Sequence, residues 1–224
     1  MHRKTISIIA TTTALAFGVA ACGDDEESSS SSSSTQNSTQ SSTPEPVAKI
    51  DALSGRSTAV ALDSGFVEAL GTLKLTPAPV GEGKISEAGT ASFPITGGNV
   101  TYYEPGSVTP YVQGNIDHAG SGLSLTGGGK KVELTDFVVD PGKSVLTGTV
   151  SVDGEVAAES APLFFLDGRT LKPLEAKDNG TAVLAGTTVK LKAEAAELLN
   201  TTFGVDALKE GLVIGVARIT VNTA

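Results

Sequence analysis

Short apolar stretches, each broken by glycine after a few residues, set the pattern of most of this chain. The pattern is densest from Asn115 to Val150, where Ile116, Leu123, Leu125, Val132, Leu134, Phe137, Val139, Val145 and Val150 supply the apolar positions. Consecutive short β-strands are predicted there. Gly127-Gly128-Gly129 is the predicted loop between Leu123-Ser124-Leu125 and Val132-Glu133-Leu134. Asp140-Pro141-Gly142 separates Phe137-Val138-Val139 from Val145-Leu146, and Asp153-Gly154 closes a further hairpin. Asp178-Asn179-Gly180 is another turn, because Asn-Gly populates the left-handed conformation that tight hairpins require.

The flanking segments read in the same way. From Ser57 to Leu75, Val60, Leu62, Phe66, Val67 and Leu70 fit a strand followed by a short helix, or two strands. Ala91 to Tyr103 alternates on both sides of Gly97-Gly98 and predicts a hairpin turning there. Ser107 to Ile116 is a strand interrupted by Pro110, which places it at an edge or a bulge. The continuous apolar run Pro162–Leu166 predicts a strand buried on both faces. Thr187 to Ala193 puts Val189, Leu191 and Ala193 inward and Lys190 and Lys192 outward. Glu194 to Thr202 is the predicted helix, with Ala195, Leu198, Leu199 and Phe203 at helical spacing and Gly204 as its stop. Leu212 to Val221 closes the domain as a last strand. The fold class expected is mainly β: a two-sheet antiparallel sandwich or an open barrel with one or two short helices.

The N-terminal part breaks this pattern. His2, Arg3 and Lys4 precede an apolar run, Thr5–Ala21, that is too short and threonine-rich for a membrane span, so residues 1–21 read as an export signal. Val19-Ala20-Ala21-Cys22 resembles a bacterial lipobox, with Val19 where leucine is usual. The resemblance implies a diacylglyceryl thioether on Cys22, which becomes the first mature residue. Cys22 is the sole cysteine, so it has no partner for a disulfide within the chain. Two acyl chains meet the requirement for stable anchoring, where one would be marginal. Gly23 to Pro46 carries acids and a serine tract without an apolar residue able to seed a core. It is expected to form a disordered tether of ~25–30 Å root-mean-square extension, leaving 47–224 as the folded domain.

Composition sharpens the picture. Gly occurs 26 times, aromatic residues make up 4%, and Trp is absent, so the core must rest on Val, Leu, Ile and Ala. The formal net charge is −9; with Arg3 and Lys4 removed, 14 basic residues stand against 25 acidic ones, giving −11. That balance argues against nucleic acid and against electrostatic adhesion to anionic lipid. The expected location is the extracytoplasmic face of the cell membrane, held there by lipid on Cys22.

Catalytic motifs fail one by one. Gly142-Lys143-Ser144 has the end of a P-loop, but Phe137 stands where its first glycine is needed. Ser121 lies between immediate glycine neighbours, not in a G-x-S-x-G elbow. A catalytic zinc site takes several His or Cys ligands, and His118 is the one histidine of the mature chain. Asp136 and Asp140 lack the spacing of an EF-hand. A hydrolase would have to use His118, and no serine is placed beside it by the sequence. The chain therefore reads as non-enzymatic. The remaining cluster is Tyr102, Tyr103, Tyr111 and His118, which are all the tyrosines and that histidine. It reads either as strand residues filling the sheet or as a ligand pocket at one end of the fold. In the second reading His118 stands at a strand end, before Ala119-Gly120-Ser121-Gly122, a run that favours a turn, and can point into the mouth of the sandwich.

Phe93-Pro94, Gly97-Gly98, the run Gly114–Leu123 and Val132-Glu133-Leu134-Thr135-Asp136-Phe137 together resemble the HtaA-type domain of actinobacterial cell-surface haem-uptake proteins. Leu191–Asn200, Phe203-Gly204 and Gly211-Leu212 are similar to its closing helix and strand. The resemblance covers most of Ser57 to Val221. It implies a two-sheet β fold, and a binding or structural role at the cell surface, with haem or other surface proteins as partners. In haem-binding members a tyrosine ligates the iron and a histidine supports it. His118 matches the histidine, while Ala69 stands at the tyrosine position of Ser64-Gly65-Phe66-Val67-Glu68-Ala69. Haem ligation is then implied only through Tyr102, Tyr103 or Tyr111.

Overall fold

The computed structural model describes residues 44–223. The expected export signal 1–21, Cys22 and the serine tract to Thr43 lie outside the described residues. The chain enters through β1 (Ala48–Ile50) and β2 (Arg56–Leu62), then turns into α1 (Ser64–Thr72). Of the two readings of Ser57–Leu75, strand and helix is the one formed. Asp63 caps the helix: its Oδ1 accepts from the backbone N–H of Gly65 at 2.9 Å and of Phe66 at 3.3 Å. Short strands β3 (Thr76–Gly81), β4 (Lys84–Ile85), β5 (Thr90–Pro94) and β6 (Gly97–Tyr102) follow. Then come the long strands β7 (Val112–Gly127), β8 (Lys130–Asp140), β9 (Val145–Val152) and β10 (Glu155–Asp167). The chain ends with β11 (Glu175–Lys177), β12 (Thr181–Leu191), α2 (Ala193–Phe203) and β13 (Val213–Asn222).

All these strands join one antiparallel sheet in the order β1-β6-β7-β8-β9-β10-β12-β13-β2-β5-β4, with β3 on β7 and β11 on β12. The sheet curls on itself, so the open barrel is the expected alternative that is realised. The predicted turns at Gly127–Gly129, Asp140–Gly142 and Asp153-Gly154 link β7 to β8, β8 to β9 and β9 to β10. α2 ends where expected, with Gly204 at φ 67°. It starts one residue earlier than the periodicity predicts, so Ala193 belongs to the helix and not to the preceding strand.

Three expectations are corrected. First, Gly97-Gly98 is not a hairpin turn. β5 pairs with β2, whereas β6 pairs with β7, so the chain steps across the seam of the barrel at Ile95-Thr96. The Ile95 N–H donates to the Arg56 carbonyl on one side, and the Thr96 N–H donates to the Asp117 carbonyl on the other, both at 2.8 Å. Gly98 is needed for close approach: φ is 105°, and a Cβ there would lie 2.2 Å from the Asn115 carbonyl oxygen. Gly98→Ala is expected to cost about 1–3 kcal/mol, the usual range for strained backbone. Urea denaturation checks it, and an unchanged midpoint would mean that the seam is not built this way.

Second, Ala119–Gly122 is not a turn but a bulge inside β7. His118 pairs with Phe137 and Gly122 with Thr135, so Ala119, Gly120 and Ser121 oppose the single residue Asp136. The Gly120 N–H donates to Asp136 Oδ1 at 2.8 Å, and the Ser121 hydroxyl donates to the His118 carbonyl at 3.0 Å. The bulge divides β7 into a first half paired with β6 and a second half paired with β3. Third, Pro162–Leu166 is not buried throughout: Leu163, Phe164 and Leu166 are buried, but Phe165 is 43% exposed.

The two ends of the barrel differ. Helix α1 follows the Leu62 end of β2 and α2 follows the Leu191 end of β12, so both helices lie at the same end. Phe66, Leu70, Leu125, Val132, Leu163 and Leu199 fill that end. The opposite end is formed by Tyr102 of β6, Val112 of β7, Asp140 of β8, Val145 of β9 and Asp167 of β10. No helix covers it.

Candidate functional site

Behind that uncovered end lies a cavity of about 810 Å³. Folded interiors pack densely and leave few voids larger than a water molecule, so a space this large is a built feature. It falls within the range of small-molecule sites, about 300–1,000 Å³. Its walls are apolar: Val60, Phe93, Ile116, Phe137, Phe164 and Val189 are among the residues that line it. Phe93 and Phe137 meet edge to face with ring centroids 5.1 Å apart.

His118 and Thr58 are the polar pair on the inner wall. His118 is 1% exposed and belongs to β7 just before the bulge, where the notion of a strand-end residue at the mouth gives way to one in mid-wall. Its Nδ1 lies 3.3 Å from the Phe137 carbonyl oxygen, which can only accept, so Nδ1 carries the proton. Nε2, 2.8 Å from Thr58 Oγ1, then accepts from the threonine hydroxyl. Burial pushes the imidazole below its ordinary value, although the Phe137 carbonyl and Asp117 act the other way. His118 is therefore a neutral side chain whose two nitrogens are both engaged.

The three tyrosines are not gathered around it. Tyr102 and Tyr111 line the cavity at its open end, edge to face with centroids 5.9 Å apart. Tyr102 pairs with Val112, six positions before His118 on β7, which is roughly 20 Å of strand. Burial, with Tyr102 as neighbour, raises the Tyr111 phenol and keeps it protonated. Tyr103 is half-buried, and its N–H donates to the Tyr111 carbonyl at 2.8 Å. Ala69 is on α1, at the plugged end. The structure thus brings His118, Tyr102 and Tyr111 to one cavity but leaves the tyrosines distant from the histidine.

The rim holds groups that the sequence reading did not single out. Asp167, with its side chain 7% exposed, accepts from Arg169 Nη2 at 2.6 Å, Arg169 Nε at 2.9 Å and Lys190 Nζ at 2.8 Å. These two cations, Arg169 foremost, hold its carboxyl well below the usual carboxylate range. The signal was available in Asp167-Gly168-Arg169, a charged turn that ends the apolar run of β10. Lys190 could not be placed there from sequence, because its partner lies on another strand. Among the described residues no cluster of three or more His, Cys, Asp or Glu could hold a metal ion. Nor, among them, is any helix long and apolar enough to cross a membrane.

The barrel has an HtaA-like β fold. The solved C-terminal domain of HtaA from Corynebacterium glutamicum has this fold: TM-score 0.53 at 13% identity, covering 76% of this chain and 98% of that chain. A domain-swapped dimer of a histidine-to-alanine variant of the same domain aligns at TM-score 0.44 and 12% identity, over 72% of this chain and 91% of that one. No protein-family model and no curated protein matches the chain.

Proposed function

We propose that the chain is a surface lipoprotein, anchored through Cys22, whose HtaA-like domain is a non-enzymatic binding module for an apolar ligand. The observation that carries this is the apolar cavity behind the uncovered barrel end. Catalysis has little support there. Thr58 and His118 form a hydroxyl–imidazole pair, but Nδ1 faces a backbone carbonyl, so no carboxylate stabilises an imidazolium. The test is titration of the mature chain carrying Cys22→Ser with N-phenyl-1-naphthylamine, whose fluorescence rises in apolar surroundings. A saturable one-to-one rise is expected, and it should vanish in Ala217→Phe, which fills the cavity from β13. No rise with the parent chain would end this reading.

Haem is the second reading, favoured by a cavity that holds both His118 and tyrosines on its wall. An iron ligand would have to come from Tyr102 or Tyr111 at the mouth, or from His118 after Thr58 releases Nε2. Haemin titration should then give a saturable Soret band that is lost in Tyr102→Phe, Tyr111→Phe or His118→Ala, with Tyr103→Phe unaffected. A band that persists in every one of these variants would remove the haem reading.

The anchor is tested separately. Cys22→Ser is expected to move the protein from the membrane fraction to the soluble fraction, because a tract without apolar residues gives no other hold. Equal membrane retention in the variant, with no lipid on the parent chain by mass spectrometry, would refute anchoring.

A further inference from the structure

We propose that the cavity takes the hydrocarbon chain of an amphiphile with one anionic head, a carboxylate or a phosphate, with that head at the mouth beside Arg169. This rests on the binding-module reading and names its ligand class. Four observations carry it.

The inner wall can be covered by hydrocarbon without stranding a polar group. Thr58 and His118 satisfy one another, and Phe137 takes the remaining imidazole N–H. No buried side-chain nitrogen or oxygen among the described residues lacks a hydrogen-bond partner. A charged or strongly polar ligand group placed deep inside would meet no free partner and would lose its hydration uncompensated. The apolar part of the ligand therefore goes in and its polar part stays out.

The mouth has a spare positive charge. Asp167 is held by two cations, so the cluster of Asp167, Arg169 and Lys190 carries one net positive charge. Lys190 is the more enclosed, its side chain 23% exposed against 82% for Arg169. Lys190 can keep Asp167 neutralised while Arg169 turns to an incoming anion. The guanidinium fork suits a carboxylate or a phosphate equally. Lys49, which lines the opening, is already paired with Asp51, and Lys143 in the β8–β9 turn is paired with Asp140.

One end of the cavity is plugged and the other is open. A blind, apolar cavity with polarity at its mouth orients a single-headed amphiphile in one direction only. Finally, the chain enters the domain at this mouth. Val47 N–H donates to the Tyr102 carbonyl at 2.8 Å, and Ala48, Lys49 and Ile50 line the opening. With Cys22 as the anchor, only the 24 residues Gly23–Pro46 separate the mouth from the bilayer, the place where such amphiphiles reside.

The experiment uses the mature chain with Cys22→Ser, loaded with N-phenyl-1-naphthylamine. Oleate, oleoyl-lysophosphatidylglycerol and oleyl alcohol are added below their micellar concentrations, and haemin is a fourth arm. Both anions are expected to displace the probe at about fivefold lower concentration than the alcohol, the scale of one exposed ion pair. That advantage should shrink in high salt and disappear in Arg169→Gln, while displacement by the alcohol stays unchanged. A lead of oleate over the lysophospholipid marks a fatty acid as ligand, and the reverse marks a phospholipid. Equal displacement by oleate and the alcohol, or an anion advantage untouched by both salt and Arg169→Gln, would overturn the head-group assignment and leave the cavity reading standing. Failure of the parent chain to bind the probe or any arm would overturn both. Displacement by haemin alone would overturn the amphiphile in favour of haem.

Discussion

Leu125→Ala is expected to lower the unfolding free energy by about 2–5 kcal/mol, and Leu123→Ala by roughly half as much. The two leucines sit two positions apart on β7 and face the same interior, with exposures of 3% and 8%. Burial alone would assign them similar costs. They differ in what lies in front of them. Leu125 belongs to the end packed by both helices and does not line the cavity, whereas Leu123 does. A side chain at a void has partner atoms on one side only, so truncating it forfeits fewer contacts. Denaturation of both variants in urea measures the difference. Equal losses would mean that the space in front of Leu123 is filled by protein in solution. A saturating apolar ligand should also raise the stability of the parent chain more than that of Leu123→Ala, by mass action on the folded state.

The second large effect concerns pH. His118 is the sole histidine among the described residues, so the window near its ordinary value of about 6.5 is free of other histidines of the folded domain. Its folded value is depressed by burial. The unfolded chain therefore takes up the proton first. The contribution of neutral His118 is fully present above about pH 6.5 and is lost as pH falls toward the folded value, with a slope of up to about 1.4 kcal/mol per pH unit. The paired carboxylates Asp140, Asp153 and Asp167 also have depressed values, but they act in the more acidic carboxylate range. His118→Leu should abolish the slope between pH 5 and 6.5. At pH 8 it should cost about 1–3 kcal/mol, because the Thr58 hydroxyl and the Phe137 carbonyl lose their partner. A slope that survives in His118→Leu would show that another group is responsible.

The turns that join β7 to β8, β8 to β9 and β9 to β10 were legible because their chemistry is local. So was α2, with its periodic Ala195 and Leu199 and its Gly204 stop. The seam was not legible. Phe93 and Val100 alternate as the arms of a hairpin would, and nothing local tells a glycine that turns the chain from one that admits a neighbouring carbonyl. Gly98 does the latter because Asn115, seventeen positions on, runs against it. The bulge at Ala119–Ser121 was missed for a similar reason: Ala-Gly-Ser-Gly reads as a turn unless the register of β8 is known.

The candidate site was half legible. His118 stood out by rarity, and the structure places it on the cavity wall. Its partner Thr58 lies sixty positions away, on a strand that reaches it only when the sheet curls. The tyrosines seemed grouped with it because they are near in sequence. Along an extended strand, however, a few positions already span much of the barrel, and proximity in sequence became distance in space. Arg169 and Lys190 meet at Asp167 from a turn and a different strand, a convergence that no periodicity announces.

The sheet ends in two of its shortest members. β1 has three residues and β4 has two, so each offers few free backbone groups to a passing strand. Two chains meeting edge to edge need a run of free backbone groups to join their sheets, and long bare runs of that kind are the template on which fibrils zip together. At these two ends of the strand order a neighbouring chain finds at most three residues to pair with, too short a border to extend the sheet from there.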